Sequence, residues 1–218
     1  MTFIVNKRNV LYSVKSPISG FIEVIRGIHG LELHINGAVQ TVKMLKNKRI
    51  NYWEIATNLV NVSPDSRILL LGLGGGEIIR NLLNKHPILN ITVIELDPII
   101  VEIYNKFFKE EKHNPTIILA DAYDYMLKNN IKYDLIYTDI YFKNCFPKKF
   151  LNEPFLTKVS KSLSLQGFYI YNYVVGDFLA STKLLTIENI FKHYFRRVYY
   201  KRISPNMLNY LFFGSNKL

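Results

Sequence analysis

The sequence predicts an α/β fold: a doubly wound, mostly parallel sheet of seven strands, preceded by a small N-terminal β-sheet. Three observations carry that expectation. Between residues 67 and 173, short apolar runs alternate with segments whose apolar residues recur at helical spacing, the pattern of parallel strands joined by right-handed crossovers. Residues 68–71 have the length and type of a strand buried on both faces, and a glycine cluster follows at Gly72, Gly74, Gly75 and Gly76. Near the end, two β-like runs at 195–201 and 208–213 stand with no helix between them, which predicts an antiparallel closing strand.

Taken in order, VLYSVKS, GFIEVIRGIHG and LELHINGAVQTVKM alternate apolar and polar residues and are punctuated by Pro17, Gly20, Gly27 and Gly30. Asn36-Gly37 between two such runs is a strong hairpin signal. Residues 1–47 therefore read as a small β domain and 48–218 as the main domain. A helix is predicted over 48–61, with Tyr52 and Trp53 near its start, and Ser63-Pro64-Asp65 breaks the chain before the first core strand. Strands are predicted at 67–71, 91–95, 116–120, 133–138 and 167–173. Helices are predicted at 76–85, 98–109, 122–130, 147–163 and 178–193.

Composition excludes several classes. A chain of 218 residues has room for one compact domain, or a domain with a small appendage. Its 49% hydrophobic and 21% charged residues argue against disorder. No run approaches the roughly 20 apolar residues of a membrane span, and MTFIVNKRNV carries no signal-peptide core. The single cysteine, Cys145, excludes an internal disulfide, and a cytoplasmic location is expected. The net charge of +11 is dispersed in short clusters (KMLKNKR, Lys148-Lys149, RRVYYKR), which read as solvated surface and not as a nucleic-acid site. The five histidines show no ligand spacing, so no metal is expected.

Ligands of such sheets bind beyond the carboxyl ends of the parallel strands. After strand one come the glycines, which let the backbone turn sharply beside exposed N–H groups at a helix start. After strand two comes Glu95, an acid placed to accept the ribose hydroxyls of a nucleotide or nucleoside. Asp97, before Pro98, reads as a helix N-cap. Asp121-Ala122 follows strand three, where the carboxylate serves either an adenine amino group or the next helix as its cap. Asp139 follows strand four with no evident structural duty and is the catalytic candidate. Nicotinamide dinucleotides and S-adenosylmethionine both suit the glycine–acid unit. The seven-strand order favours the Rossmann-type fold of S-adenosylmethionine-dependent transferases.

On these residues the chain resembles the spermidine synthase (polyamine aminopropyltransferase) family and its spermidine-synthase-like members. The likeness covers most of the chain: LELHINGAVQ, Tyr52-Trp53-Glu54 where the family has Tyr-His/Gln-Glu, the GLGGG loop, VIELDP, ADA and YDLIYTD. Leu70 also fits, since the family is apolar where ordinary methyltransferases carry an acid. The resemblance implies S-adenosylmethionine or its decarboxylated form as co-substrate. Glu95 would hold the ribose, Asp121 and Ala122 the adenine end, and Asp139 would deprotonate an attacking amine. It further implies a homodimer built through the N-terminal sheet. Tyr52, Trp53, Tyr141 and Phe142 would wall the pocket of a small-molecule acceptor, and Glu77, in the first turn of the glycine-loop helix, is the nearby acid that could reach the donor's ammonium.

The departures fall on the acceptor side. Gly75 stands where spermidine-forming members have the aspartate of Gly-Gly-Gly-Asp-Gly-Gly. Phe142 replaces the second acid of Asp-x-x-Asp, Trp53 replaces His or Gln, and Lys48-Arg49 replaces Asp-Glu. Removing a charged partner from such a site typically costs about 2–5 kcal/mol. The expectation is aminopropyl-type transfer to an amine with an altered acceptor pocket. The alternatives are methyl transfer to a small or anionic acceptor, and a catalytically degenerate member.

Overall fold

The computed structural model describes residues 9–28, 30–44, 52–60, 62–87, 89–140, 147–174, 180–203 and 209–217, without the side chains of Met44, Tyr52, Ala180 and Ser181. The N-terminal sheet is an antiparallel meander of β1 (Asn9–Ser16), β2 (Gly20–Arg26), β3 (Gly30–Ile35) and β4 (Ala38–Met44). Asn36 and Gly37 join β3 to β4 with φ of 49° and 81°, the positive pair that a two-residue hairpin turn demands. Ile22, Val24 and Leu33 on its inner face join the main core.

After α1 (Tyr52–Asn58), the chain builds the predicted sheet of seven strands: β5 (Arg67–Leu71), β6 (Asn90–Glu95), β7 (Thr116–Leu119), β8 (Tyr133–Thr138), β9 (Leu163–Val174), β10 (Arg197–Arg202) and β11 (Asn209–Ser215). The order is β10-β11-β9-β8-β5-β6-β7, with β11 antiparallel to both neighbours and the other pairs parallel. Helices α2 (Glu77–Lys85), α3 (Pro98–Ile103), α4 (Ala122–Lys128), α5 (Glu153–Ser162) and α6 (Ala180–Tyr194) cover the two faces. Strand β5 shows how. Ile68 and Leu70 pack toward α1, α2 and α3, while Leu69 and Leu71 pack toward α4, α5 and α6, so both faces are dry. Burying each such side chain stabilises the fold by roughly 1.5–3 kcal/mol. Among the described residues no helix is long and apolar enough to cross a membrane.

Three elements differ from the sequence expectation. The helix expected over 98–109 is α-helical only to Ile103 and continues as a π-helical turn, Tyr104–Phe108. This wider turn directs the Phe108 carbonyl toward Arg80 and Lys43, both of which donate to it. The helix expected over 147–163 is a 3-10 turn, Lys148–Leu151, followed by α5, because the Asn152 side chain accepts the Phe155 N–H and starts a new helix there. Strand β9 begins at Leu163, not 167, with a register shift against β8 that accommodates the polar LSLQ segment. Helix α1 ends at Asn58, and its expected start at 48–51 lies outside the described residues.

Winding reverses at β5, which pairs with β6 on one side and β8 on the other. The crevice beyond the carboxyl ends of β5 and β8 is the switch point of the sheet. Gly72 and Asp139 both stand there.

Candidate active site

The glycine turn is fixed from three sides. Gly72 has φ +103, donates to the Ile94 carbonyl at 2.9 Å, and leaves so little room that a Cβ would lie 2.4 Å from the Asp139 carbonyl oxygen. Here no other residue fits. Leu73 N–H donates to Glu95 Oε2 at 3.0 Å, and Gly75 N–H donates to Thr41 Oγ1 at 2.9 Å. A Cβ on Gly75 would meet Thr41 Cγ2 at 2.5 Å, so β4 of the small sheet already occupies the space a side chain at 75 needs.

Glu95 closes β6 and is half-buried. Its Oε1 accepts the N–H groups of Leu96 and Asp97 at 2.8 and 2.9 Å, which with Leu73 makes three backbone donors. A carboxylate offers about four lone-pair directions, so roughly one remains for a ligand hydroxyl. Burial raises the Glu95 pKa above its ordinary value, against the lowering by the three N–H groups, and the charge of Asp97 adds to the rise.

Asp97 acts as the predicted N-cap, accepting the Ile99 N–H, and does more. Its other oxygen accepts a short hydrogen bond from the Ser16 hydroxyl, and Ser16 Oγ accepts from the N–H groups of Ile18 and Ser19. Both side chains are almost fully buried. This network holds the turn between β1 and β2 over the crevice.

Asp121 performs the cap, with Oδ1 accepting from Tyr123 and Asp124 N–H, while Oδ2 is ion-paired to Lys149 Nζ at 2.7 Å. Burial alone would raise its pKa, but the Lys149 ammonium and the two N–H donors bring it below the usual carboxylate value.

Two cavities meet at the glycine turn. The larger, about 400 Å³, reaches Glu95, Asp121, Ala122 and Lys149, with Ile18 and Ile35 of the small sheet as its roof. The smaller, about 60 Å³, is bounded by Thr41, Trp53, Glu77 and Tyr137. Gln40, Gly72, Leu73, Gly74 and Asp139 line both. Asp139 extends β8, its N–H donating to the Leu71 carbonyl at 2.9 Å. Its Oδ1 accepts from Asn172 Nδ2 at 2.7 Å, and Asn172 Oδ1 accepts from Asn209 Nδ2 at 3.1 Å.

The structure thus gathers Gly72, Gly74, Gly76, Glu95, Asp121, Ala122, Trp53 and Asp139 around one crevice, while Gly75 lines neither cavity and turns toward Thr41. Asp139 has the structural partner that the sequence did not reveal. Glu77 lines the small cavity, but its carboxylate is ion-paired with Arg80, which also contacts Glu110 at 3.0 Å. Tyr141, Phe142, Cys145, Lys48-Arg49 and the Tyr52 side chain lie outside the described residues. Among the described residues no group of three metal-ligating side chains assembles.

Sequence reasoning missed Gln40, Thr41, Tyr137, Lys149 and Asn172. Gln40 and Thr41 lie in an alternating strand whose docking is not local information. Tyr137 and Asn172 sit in strands whose apolar character masked them, and Lys149 belonged to a basic cluster read as surface.

Residues 51–212 match the family model described as the spermine/spermidine synthase domain. The chain is 27% identical to the polyamine aminopropyltransferase of Vibrio vulnificus over 145 residues, 65% of this chain and 48% of that protein. It is 23% identical to the Buchnera aphidicola enzyme of the same name over 211 residues, 93% of this chain and 72% of that protein. The chain therefore spans about half the length of the first relative. Among solved structures, a probable spermidine synthase from Corynebacterium glutamicum superposes with a TM-score of 0.79 at 20% identity, covering 96% of this chain and 80% of that one. Human methyltransferase-like protein 13, solved in complex with SAH, gives 0.62 at 26% identity over 69% of this chain and 72% of that one.

Proposed function

Since the chain belongs to the spermine/spermidine synthase family, we propose that it transfers an aminopropyl-type group from a decarboxylated S-adenosylmethionine-type donor to a small amine. The observation that carries this reading is the position of Asp139, on the shared wall of a nucleoside-sized cavity and a smaller one. The residues present suit the donor. Glu95 and the loop it tethers face the ribose position, the Asp121–Lys149 pair closes the adenine end, and Ile18, Ile35 and Ile100 supply an apolar enclosure.

A sulfonium supplies an already electrophilic carbon, so the protein's tasks are to position the amine, free its lone pair and exclude water. Asp139 attracts the ammonium form and takes its proton, and Asn172 keeps the carboxylate oriented by holding Oδ1. The amine nitrogen then bonds to the carbon beside sulfur, and the carbon–sulfur bond breaks with its electron pair staying on sulfur. A neutral thioether nucleoside and a secondary ammonium result.

One observation favours a second reading. Thr41 fills the place of a side chain at Gly75, so no acid there meets an amino terminus, and a hydroxyl stands instead. That arrangement suits the intact amino-acid end of S-adenosylmethionine and methyl transfer, and the SAH-bound methyltransferase-like neighbour lends it support. Calorimetric titration with S-adenosylmethionine, its decarboxylated form and methylthioadenosine separates the two. Preference for the decarboxylated donor supports aminopropyl transfer, preference for the intact donor supports methyl transfer, and binding of none by folded protein removes both. Asp139→Asn is expected to lose a factor of about 10²–10⁴ in turnover. A two-domain division near residue 47 and homodimerisation belong to the same proposal, and light scattering on the purified chain tests the dimer.

A further inference from the structure

Tyr137 has no part in the reading above, yet its setting is unusual. It lies on β8 two residues before Asp139, so the two side chains leave the same face of the strand, and both line the small cavity. The ring is almost fully buried in the core shared with α1 and α2. Its hydroxyl is buried as well and has no hydrogen-bond partner among the described residues. Burial and the Asp139 charge push its pKa well above the ordinary phenol value, so the group is a neutral O–H donor at every working pH. A buried donor without an acceptor is a standing cost that a ligand oxygen would relieve.

The other acids in the described wall limit what that ligand is. Glu77 is already engaged by Arg80, and Asp139 is the group that meets the attacking amine. A second ammonium beside Tyr137 would be a desolvated charge facing a phenol, the Trp53 indole and isoleucines, and it would leave the phenol proton unbonded. A neutral oxygen suffers neither penalty.

We propose that Tyr137 is a specificity-determining residue that selects a short acceptor with an amine at one end and a neutral hydrogen-bond acceptor, a hydroxyl or amide oxygen, at the other. The amine sits on Asp139 and the oxygen accepts from Tyr137. This rests on the small cavity being the acceptor side of the site; it does not depend on which group is transferred.

The test is calorimetric titration of the methylthioadenosine-saturated protein with 4-aminobutan-1-ol, 1,4-diaminobutane and butylamine, in wild type and Tyr137→Phe. Wild type is expected to bind the amino alcohol at least about tenfold more tightly than either other amine, the order of discrimination one hydrogen bond gives. Tyr137→Phe removes one oxygen and no packing, so the fold persists with an undiminished Tm. The variant is expected to bind the amino alcohol no better than butylamine, with butylamine unchanged. Tighter binding of the diamine, an amino-alcohol advantage that survives Tyr137→Phe, or no amine binding at millimolar concentration overturns the inference. If methylthioadenosine itself does not bind, the donor assignment falls, and the same amine series on unliganded protein still decides the role of Tyr137.

Discussion

Gly75→Ala should be a destabilising glycine-to-alanine change whose cause lies in another sheet. The added Cβ would stand 2.5 Å from Thr41 Cγ2, 2.8 Å from its Cβ and 2.9 Å from Oγ1, all below real contact distances. Thr41 is 2% exposed and cannot swing into solvent. Overpacking of this kind costs about 1–3 kcal/mol, which for a chain of this size lowers Tm by about 2–4 °C per kcal/mol. Thr41→Ala alone strips the Gly75 N–H of its acceptor and should cost about 1–3 kcal/mol. It also removes two of the three clashing atoms, including the nearest. The double variant should therefore be less destabilised than the sum, with a coupling of about 1–2 kcal/mol. Urea unfolding of the four proteins, with matched m-values, measures the cycle. Additivity to within about 0.5 kcal/mol would falsify the steric account. It would also remove the steric exclusion of an acid at 75, and with it the structural support for the intact donor.

Three further outcomes are expected. Glu95→Gln exchanges an acceptor-only group for one with an amide NH₂ facing a backbone donor, and should weaken nucleoside binding by about 2–3 kcal/mol, read by titration calorimetry. Because burial raises the Glu95 pKa above 4.5, the folded protein holds more proton than the unfolded chain in the window between the two values. Wild-type stability, relative to Glu95→Gln, should thus fall as pH rises through that window, and a difference independent of pH speaks against it. Ser16→Ala leaves one oxygen of the buried Asp97 unpaired and should cost about 1–3 kcal/mol, with faster amide exchange at Ile18 and Ser19 as the local signature.

Much of the fold was legible because its signals are local. The period-two runs of the small sheet, Asn36-Gly37, and the apolar strands β5 and β8 state their conformation within a few residues. The π-helical turn after Ile103 was not legible, since it answers to Arg80 and Lys43 across the fold. Around the crevice, the placement of Gly72, Gly74, Gly76, Glu95, Asp121 and Asp139 could be read because such sheets gather their loops at the carboxyl ends of the strands. Thr41, Asn172 and Tyr137 could not. Each matters through a neighbour distant in sequence, and along the chain each looks like an ordinary strand residue. Asp121 shows the middle case, where the cap was foreseeable and the Lys149 partner, 28 positions away, was not.

The two-sheet construction of the larger cavity has a thermodynamic consequence. Its roof, Ile18, Ser19 and Ile35, belongs to the small sheet, and its floor, Gly72, Glu95 and Asp121, to the large one. A molecule that fills it touches both, so its binding energy adds to the clamping of one sheet on the other. At a ligand concentration 100 times Kd that linkage is worth about 2.7 kcal/mol. In a cell where unfolded chains are degraded, a margin of that size alters steady-state abundance several-fold. The lifetime of the protein would then rise and fall with the supply of whatever molecule fills that cavity.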